Sequence, residues 1–210
     1  MNAQQMKQLS DEDLMELFQA GNESAYNLLF ERYKKRIYHF LFRYTHNEGD
    51  SEDLLQETFM RVYRSKHSYN RIAKFSTWLY TIALNLAKTH YKKKTRMEMV
   101  SFHTDEGQQS FEVTDMLEDR DLEPDRMYQK RTVVRYIEKA LQRISTDFRE
   151  VLVLRDIQGL SYEEISEVTG FPMGTVKSKL NRGRVQLQQL LRRMTVDPNT
   201  ADLQTRFILS

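Results

Sequence analysis

Apolar residues return every three or four positions over much of the chain, the spacing that places them along one side of an α-helix. The longest stripe of this kind follows a break at Gly21-Asn22 and begins near Ser24. Aromatic rings at helical spacing are more often core than binding surface, so we assign most of this stripe to a hydrophobic core. Its members are Tyr26, Leu29, Phe30, Tyr33, Ile37, Phe40, Leu41 and Tyr44.

Strands are not expected, because no alternating apolar run of useful length occurs. Only seven Gly and three Pro occur in 210 residues, and 30% of the residues are charged. We therefore predict an all-α protein. Its parts are a helical domain at 1–96, an acidic and largely unstructured linker at 97–124, a second helical domain at 125–193 and a tail at 194–210 to which no role is assigned.

The first domain should contain short capped helices. Ser10 with Asp13 predicts a helix that ends near Ala20, and a later helix begins at Asp50 or Ser51 after a loop that starts at His46. The later helix has an apolar side at Leu54, Leu55, Thr58, Phe59 and Val62. Its other side is polar, at Asp53, Gln56, Glu57 and Arg61. Such a face suits docking on another protein, although alone it also fits a solvated helix.

A polar loop at 66–74 precedes a further helix, for which Ser76 is the expected cap and which ends near Lys94. Its core side is predicted at Leu79, Ile82, Ala83 and Leu86, and its polar side at Thr81, Asn85, Lys88 and Lys92. Aromatic residues accompany the polar stripe at Phe75, Trp78, Tyr80 and Tyr91. Rings beside cations favour single-stranded nucleic acid, because bases stack on rings while cations follow the phosphates. The same rings could equally be core.

The helical period is lost from about Thr95 to Asp125. Between Ser101 and Asp125 nine Asp or Glu face a single basic residue, Arg120, which is typical of an interdomain linker. Four helices are predicted beyond it. The first starts at Asp125 after Pro124, and another ends at Gly159.

The segment from Leu160 to Leu191 has the most specific pattern in the chain. Ser161 and Glu164 form a capping box, and Gly170-Phe171-Pro172 ends the short helix that follows. A second helix begins between Met173 and Thr175 and runs to about Arg193. One side of it is apolar, at Val176, Leu180, Leu187, Leu190 and Leu191 with Gly183, and the opposite side carries Ser178, Asn181, Arg182 and Val185, flanked by Lys177 and Lys179.

This second helix has six Lys or Arg and no acid from Met173 to Arg193. Two helices joined by a tight turn, with the second one basic, predict a helix-turn-helix whose recognition helix lies in a DNA groove. The alternative is a solvated basic face on an ordinary helical hairpin.

Composition and missing motifs further limit the class of protein that this chain can be. The formal net charge is only +2, so nucleic-acid binding must come from local patches. Cysteine is absent, and no run of about 18 apolar residues or export signal occurs, so we expect a cytoplasmic protein without membrane insertion. The five His are scattered, and phosphate-loop and nucleophile motifs are missing. An enzyme is therefore not expected, nor is a cofactor or a metal.

Three stretches, DSEDLLQETFMRVYRS, FSTWLYTIALNLAKTHYKKKTR and LSYEEISEVTGFPMGTVKSKLNRGR, together resemble the bacterial sigma factors of the extracytoplasmic-function class. They occur in that family's order, with an acidic linker between the last two. The resemblance implies that the first domain is sigma region 2 and the second is region 4. It also implies that core RNA polymerase is an obligatory partner, bound through the clamp helices of its largest subunit and the flap region of its second subunit.

The resemblance further implies roles for the candidate residues. The core-docking face is Asp53, Gln56, Glu57 and Arg61. The minus-ten element, including a flipped base of the single-stranded non-template DNA, is assigned to Tyr69, Asn70, Phe75, Ser76, Trp78, Asn85, Lys88 and Lys92. Duplex DNA at minus thirty-five is assigned to Thr175, Lys177, Ser178, Lys179, Asn181, Arg182 and Arg184, of which Thr175, Lys179 and Arg184 are phosphate contacts. An anti-sigma factor is a further implied partner, and the linker would thread toward the polymerase active centre.

A second hypothesis is a stand-alone transcriptional regulator with the same helix-turn-helix. Such a protein would bind duplex operator DNA as a dimer, with half-sites about one helical turn apart. This hypothesis does not explain the aromatic and basic residues around Trp78. In addition, nothing in the sequence indicates a dimer interface or an effector domain.

Overall fold

The structure is a computed structural model that describes residues 3–100 and 134–194. Every regular element in these residues is helical, as predicted. The helices are α1 (Ala3–Met6), α2 (Asp11–Gln19), α3 (Glu23–Thr45), α4 (Glu48–Arg64), α5 (Phe75–Val100), α6 (described over 134–142), α7 (Thr146–Leu152), α8 (Tyr162–Thr169) and α9 (Met173–Met194). A 3₁₀ turn at Lys66–Ser68 follows α4, and a π-helical turn at Val153–Ile157 continues α7.

The described residues form two compact units. The first contains the residues up to 100 and also Glu163–Phe171, and the second contains 134–162 and 172–194. The predicted linker lies outside the described residues from position 101, as do the expected helix start at Asp125 and the tail from 195. The helix α5 continues past the expected end at Lys94 as far as Val100.

In the first unit, short polar side chains set the helix starts. Ser10 caps α2 by accepting from Asp13 N at 3.1 Å, as the sequence predicted. Asn22 and Asn47 cap α3 and α4 in the same way. The start of α4 at Glu48 is two or three residues earlier than expected, because the Asn47 side chain accepts from Asp50 N and draws the preceding residues into the first turn.

The core of the first unit lies among α2, α3, α4 and α5. Most of the aromatic stripe of α3 is buried as predicted, with Tyr26 and Phe30 only partly covered. Leu55 and Ile82, which were expected in the core, are also only partly buried. The largest fully buried side chains of this unit are Leu14, Met15, Phe18, Leu29, Ile37, Phe40, Leu41, Phe75, Leu79, Tyr80 and Leu84.

The start of α5 was assigned to the wrong cap. The helix already includes Phe75, so Ser76 lies inside its first turn. The amide of Phe75 donates instead to Glu12 Oε1 of α2 at 2.9 Å. A carboxylate that is 63 positions away in sequence thus does the work of a local cap, which no local pattern could reveal.

In the second unit, Arg149 of α7 donates from one guanidinium nitrogen to the carbonyls of Gln142 and Ile144, each at 3.0 Å. These carbonyls lie where α6 ends and have no helical partner of their own. The left-handed backbone of Gly159 (φ 75°) then closes the α7 segment where the sequence placed its end.

The apolar side of α9 is buried at Val176, Leu180 and Gly183, whereas Leu187, Leu190 and Leu191 are only half-buried. Gly183 lies against α7. A Cβ at this position would come within 3.0 Å of Leu152 Cδ1 and 3.3 Å of Phe148 Cβ. A methyl group at this position would therefore force Leu152 or Phe148 to shift.

We predict that Gly183→Ala destabilises the second unit by about 1–3 kcal/mol, because the added methyl overpacks the contact with Leu152 and Phe148. Gly174→Ala is the matched control in the same helix, since nothing lies within 4 Å of its Cβ. That change should stabilise by up to about 1 kcal/mol through helix propensity alone. Thermal and urea unfolding of the full chain, with hydrogen exchange of α7 and α9, measures both. Equal effects of the two changes would contradict the packing argument.

Candidate nucleic-acid interface

The helix α9 presents a polar face whose side chains reach solvent. Lys177, Ser178, Asn181 and Arg182 are all exposed, as the sequence predicted. Val185 lies on the same face and is also exposed. Lys and Arg can bind guanine edges and Asn can bind adenine, so this face has the donors and acceptors that reading a major groove requires.

Two other cations of α9 are engaged within the second unit. Lys179 Nζ lies 2.8 Å from Asp147 Oδ2 and 5.6 Å from the centre of the Phe148 ring. Arg184 binds Asp156 through two nitrogens, at 2.5 and 3.1 Å. This hydrogen bond to the Asp156 carboxylate raises the pKa of Arg184. For both residues, a carboxylate of the same unit therefore competes with any phosphate contact.

The turn before α9 is fixed by backbone geometry. Gly170 adopts the left-handed conformation (φ 75°), as expected for a residue that ends a helix. The Ser166 hydroxyl donates to Phe171 O at 2.6 Å, and the amides of Thr175 and Val176 donate to Pro172 O. Thr175 is half-buried, and its own carbonyl accepts from the Ser178 hydroxyl at 3.0 Å. The turn and the first turn of α9 are therefore held in place by hydrogen bonds.

The loop at 66–74 contains a buried ring, Tyr69, which is 4% exposed and lies 5.3 Å from the Trp78 ring. Its hydroxyl donates to Ala73 O at 2.8 Å. Burial raises the pKa of Tyr69 to about 12, so the hydroxyl stays protonated and able to donate. Phe75 is fully buried, 6.0 Å from Tyr69. These two rings support the loop from inside, and their faces are covered.

The remaining minus-ten candidates are accessible to different degrees. Asn70, Asn85 and Lys92 are exposed, and Ser76, Trp78 and Lys88 are half-buried. Trp78 packs one part of its ring on Tyr69 and Phe75 and retains some accessible surface. The sequence could not decide whether the Trp78 ring belongs to the core or to the surface. In the structure it is half-buried and so belongs partly to each.

The polar face of α4 is exposed at Asp53, Gln56 and Arg61, with Glu57 partly covered. Arg61 Nε pairs with Glu57 Oε1 at 3.1 Å, one helical turn apart. Both side chains are substantially solvated, so this pair contributes little to stability. The face can exchange it for contacts with another protein.

Two residues near the tip of the loop were not singled out by sequence reasoning. Ile72 is 96% exposed, and Arg71 pairs with Asp13 and Glu16 of α2, each at 2.9 Å. The loop was read as polar and of mixed character, and an isolated Ile in such a segment has no periodic signal. Only the folded structure shows that the Ile72 side chain is almost fully exposed.

Comparison with known proteins shows which family the chain resembles. A family model described as Sigma-70 region 2 matches residues 29–97, and one described as Sigma-70, region 4 matches residues 135–187. The RNA polymerase sigma-H factor of Pseudomonas aeruginosa is 33% identical over 186 residues, which cover 89% of this chain and 96% of that protein. The ECF RNA polymerase sigma-E factor of Haemophilus influenzae is 33% identical over 182 residues, covering 87% of this chain and 95% of that protein.

This chain belongs to the extracytoplasmic-function class of sigma factors. A sigma factor of this class binds core RNA polymerase, recognises the minus-thirty-five and minus-ten promoter elements and directs transcription initiation. The matched regions contain the α4 face, the loop with α5, and the exposed face of α9. The predicted family is therefore confirmed, and a stand-alone regulator is not favoured.

Solved structures agree with this fold. The sigma factor RpoE of Bartonella quintana, in complex with the anti-sigma factor NepR, has a TM-score of 0.65 at 24% identity, covering 79% of this chain and 96% of that one. CnrH, in complex with the cytosolic domain of CnrY, has a TM-score of 0.62 at 23% identity, with coverages of 87% and 97%. Within residues 3–100 and 134–194 of this sigma factor, no helix is long and apolar enough to cross a bilayer.

The Arg184–Asp156 pair generates a prediction about DNA binding. If Arg184 contacts phosphate, Asp156→Asn should tighten binding of the holoenzyme to duplex promoter DNA, because the competing carboxylate is lost. The slope of log affinity against log salt should steepen by about 0.9, the value for one added phosphate contact. Filter binding or anisotropy at several salt concentrations measures this. The double change Asp156→Asn with Arg184→Ala should abolish the gain, and an unchanged slope in the single variant would place Arg184 away from the DNA.

Proposed function

We propose a residue-level division of labour for this sigma factor. The α4 face docks on core RNA polymerase, the loop at 66–74 with α5 binds the minus-ten element, and α9 reads the minus-thirty-five element. The observation that carries the proposal is the presence of three exposed polar surfaces on elements that the two matched regions contain. A regulator that binds duplex DNA by itself requires only the surface on α9.

The surface on α9 divides into reading and anchoring residues. Lys177, Asn181 and Arg182 are exposed and serve as base-reading candidates, with Ser178 between them. Each matched side chain and base edge contributes ~1–3 kcal/mol of discrimination. Lys179, Arg184 and Thr175 are assigned to phosphates, which position the helix without carrying sequence information.

The minus-ten surface combines a supported loop with a polar helix. Asn70, Ser76, Trp78 and Asn85 are the candidates for a flipped non-template base, and Lys88 and Lys92 follow the backbone. Because their rings are covered, Tyr69 and Phe75 shape this surface from beneath. Each base-pair step costs roughly 1.4 kcal/mol to open, and capture of one base offsets only one or two steps. Core polymerase must therefore supply the rest.

The partners follow from this scheme. The α4 face meets the clamp helices of the largest polymerase subunit, and region 4 lies at the flap of the second subunit. Structures of sigma factors with anti-sigma factors support an anti-sigma partner for this chain as well. The protein acts as an initiation factor without catalysis of its own, in the cytoplasm where polymerase and promoter DNA are found.

The docking assignment predicts that Glu57→Lys lowers affinity for core polymerase by about tenfold or more, since it reverses one charge at the centre of the face. Glu31→Lys is the matched control, because it makes the same charge reversal at an exposed residue of a different helix, α3. Fluorescence titration with core polymerase, followed by run-off transcription, measures both. Equal affinity of the two variants would remove Glu57 from the interface, and failure of the unaltered chain to bind core polymerase would end the proposal.

The reading assignment predicts that Asn181→Ala and Arg182→Ala change the order of preference among promoters that differ at minus thirty-five. Each should lose about 1–3 kcal/mol on the promoter whose base it reads, and less on the others. Run-off transcription from a randomised minus-thirty-five pool gives the profile for each variant, with core-polymerase affinity as the control. A uniform loss on all promoters would assign the residue to phosphate contacts.

A further inference from the structure

Ile72 is the most exposed of the large hydrophobic residues in the part of the chain that the structure describes. It is 96% exposed, whereas the other exposed members of this class lie between 40% and 53%. Single exposed aliphatic residues are ordinary on protein surfaces. The informative observation is therefore how the chain around Ile72 is held.

The start of the loop is bound to α2 through its backbone. Gln19 Nε2 donates to the carbonyls of Lys66 and Tyr69, at 2.7 and 3.0 Å. In return Lys66 Nζ donates to Phe18 O at 3.2 Å and lies 4.7 Å from the centre of the Phe18 ring. One amide side chain thus binds two loop carbonyls, of which that of Lys66 also accepts the Tyr69 amide at 3.3 Å.

The end of the loop is bound to the same helix. The Phe75 amide donates to Glu12, and the Arg71 guanidinium pairs with Asp13 and Glu16. The Tyr69 hydroxyl, which donates to Ala73 O, closes the loop across its base. The residues on both sides of Ile72 are therefore bound, Arg71 through its side chain and Ala73 through its carbonyl.

The helix α2 lies outside residues 29–97, which match Sigma-70 region 2. It nevertheless supplies Glu12, Asp13, Glu16 and Gln19, which bind the loop and the first amide of α5. Arg71, the cation next to Ile72, is directed onto the acids of α2. Asn70, Arg71 and Ile72 are all exposed at the tip, but Arg71 is engaged by the acids of α2. Of the other two, Asn70 can form hydrogen bonds and Ile72 is purely apolar.

We propose that Ile72 packs against an unpaired base of the minus-ten element and that α2 is the element that holds it in position. This rests on the proposed function of the loop at 66–74. Isoleucine has no donor or acceptor, so its contact is with the face or methyl group of a base, while Asn70 is available for a base edge. Holding the tip outward before DNA arrives lowers the ordering cost of binding.

The test compares Ile72→Ala with Ile157→Ala, a second exposed isoleucine that lies in the other unit. Open-complex formation by the holoenzyme is measured on a duplex promoter and on the same promoter pre-melted by mismatches across minus ten. Ile72→Ala should reduce affinity about fivefold on both templates, as expected for partial loss of one buried aliphatic side chain, and Ile157→Ala should not. No loss with Ile72→Ala, or a loss that disappears on the pre-melted template, would overturn a base contact.

Asn70→Ala and Trp78→Ala, assayed in parallel, distinguish failure of the Ile72 contact from failure of the proposed role of the loop. If these variants are defective while Ile72→Ala is not, the proposal for Ile72 fails and the function of the loop stands. If all three match the unaltered protein, the proposed function of the loop fails as well.

The positioning role of α2 has its own readout. Glu12→Ala should increase hydrogen exchange at 66–75, and Glu12→Gln, whose amide oxygen can still accept from Phe75 N, should restore protection. In the Glu12→Ala background, Ile72→Ala should cost less than in the unaltered protein, because the tip is no longer held outward. Strictly additive losses would show that α2 does not position Ile72.

Discussion

The first unit depends on satisfying backbone groups that lie between its helices. The loop at 66–74 leaves carbonyls and amides without helical partners, and such groups are costly when they are kept from water. Side chains of α2 provide partners: Gln19 for the carbonyl of Tyr69 and as a second donor to that of Lys66, and Glu12 for the first amide of α5. The position of α5, and of every DNA candidate on it, therefore follows from a helix more than fifty residues earlier.

The second unit relies on a close helix contact. Gly183 lets α9 approach α7 so closely that even one methyl group would meet Leu152 and Phe148. The opposite side of α9 consequently faces away from the unit, with Asn181 and Arg182 exposed. A packed apolar side and an exposed polar side are two results of the same helical period.

Some cations of both units are paired with acids, and others are exposed. Lys179 and Arg184 are held by acids of their own unit, and Arg71 is held by α2. Lys177 and Arg182 of α9 are exposed, and they are the cations that we propose to meet DNA first. With a net charge of only +2, attraction for phosphate must come from local patches of exposed cations.

The sequence by itself determined the all-helical fold, the Ser10 cap, the turn at Gly170, the exposed face of α9 and the family. These are local properties, because a cap or a helical stripe is set by residues within a few positions of one another. The tertiary structure alone decided that Glu12 and not Ser76 starts α5, that Phe75 is covered, that Arg184 is paired and that Ile72 is exposed. Each of these depends on residues distant in sequence, whose meeting is fixed only when the helices pack.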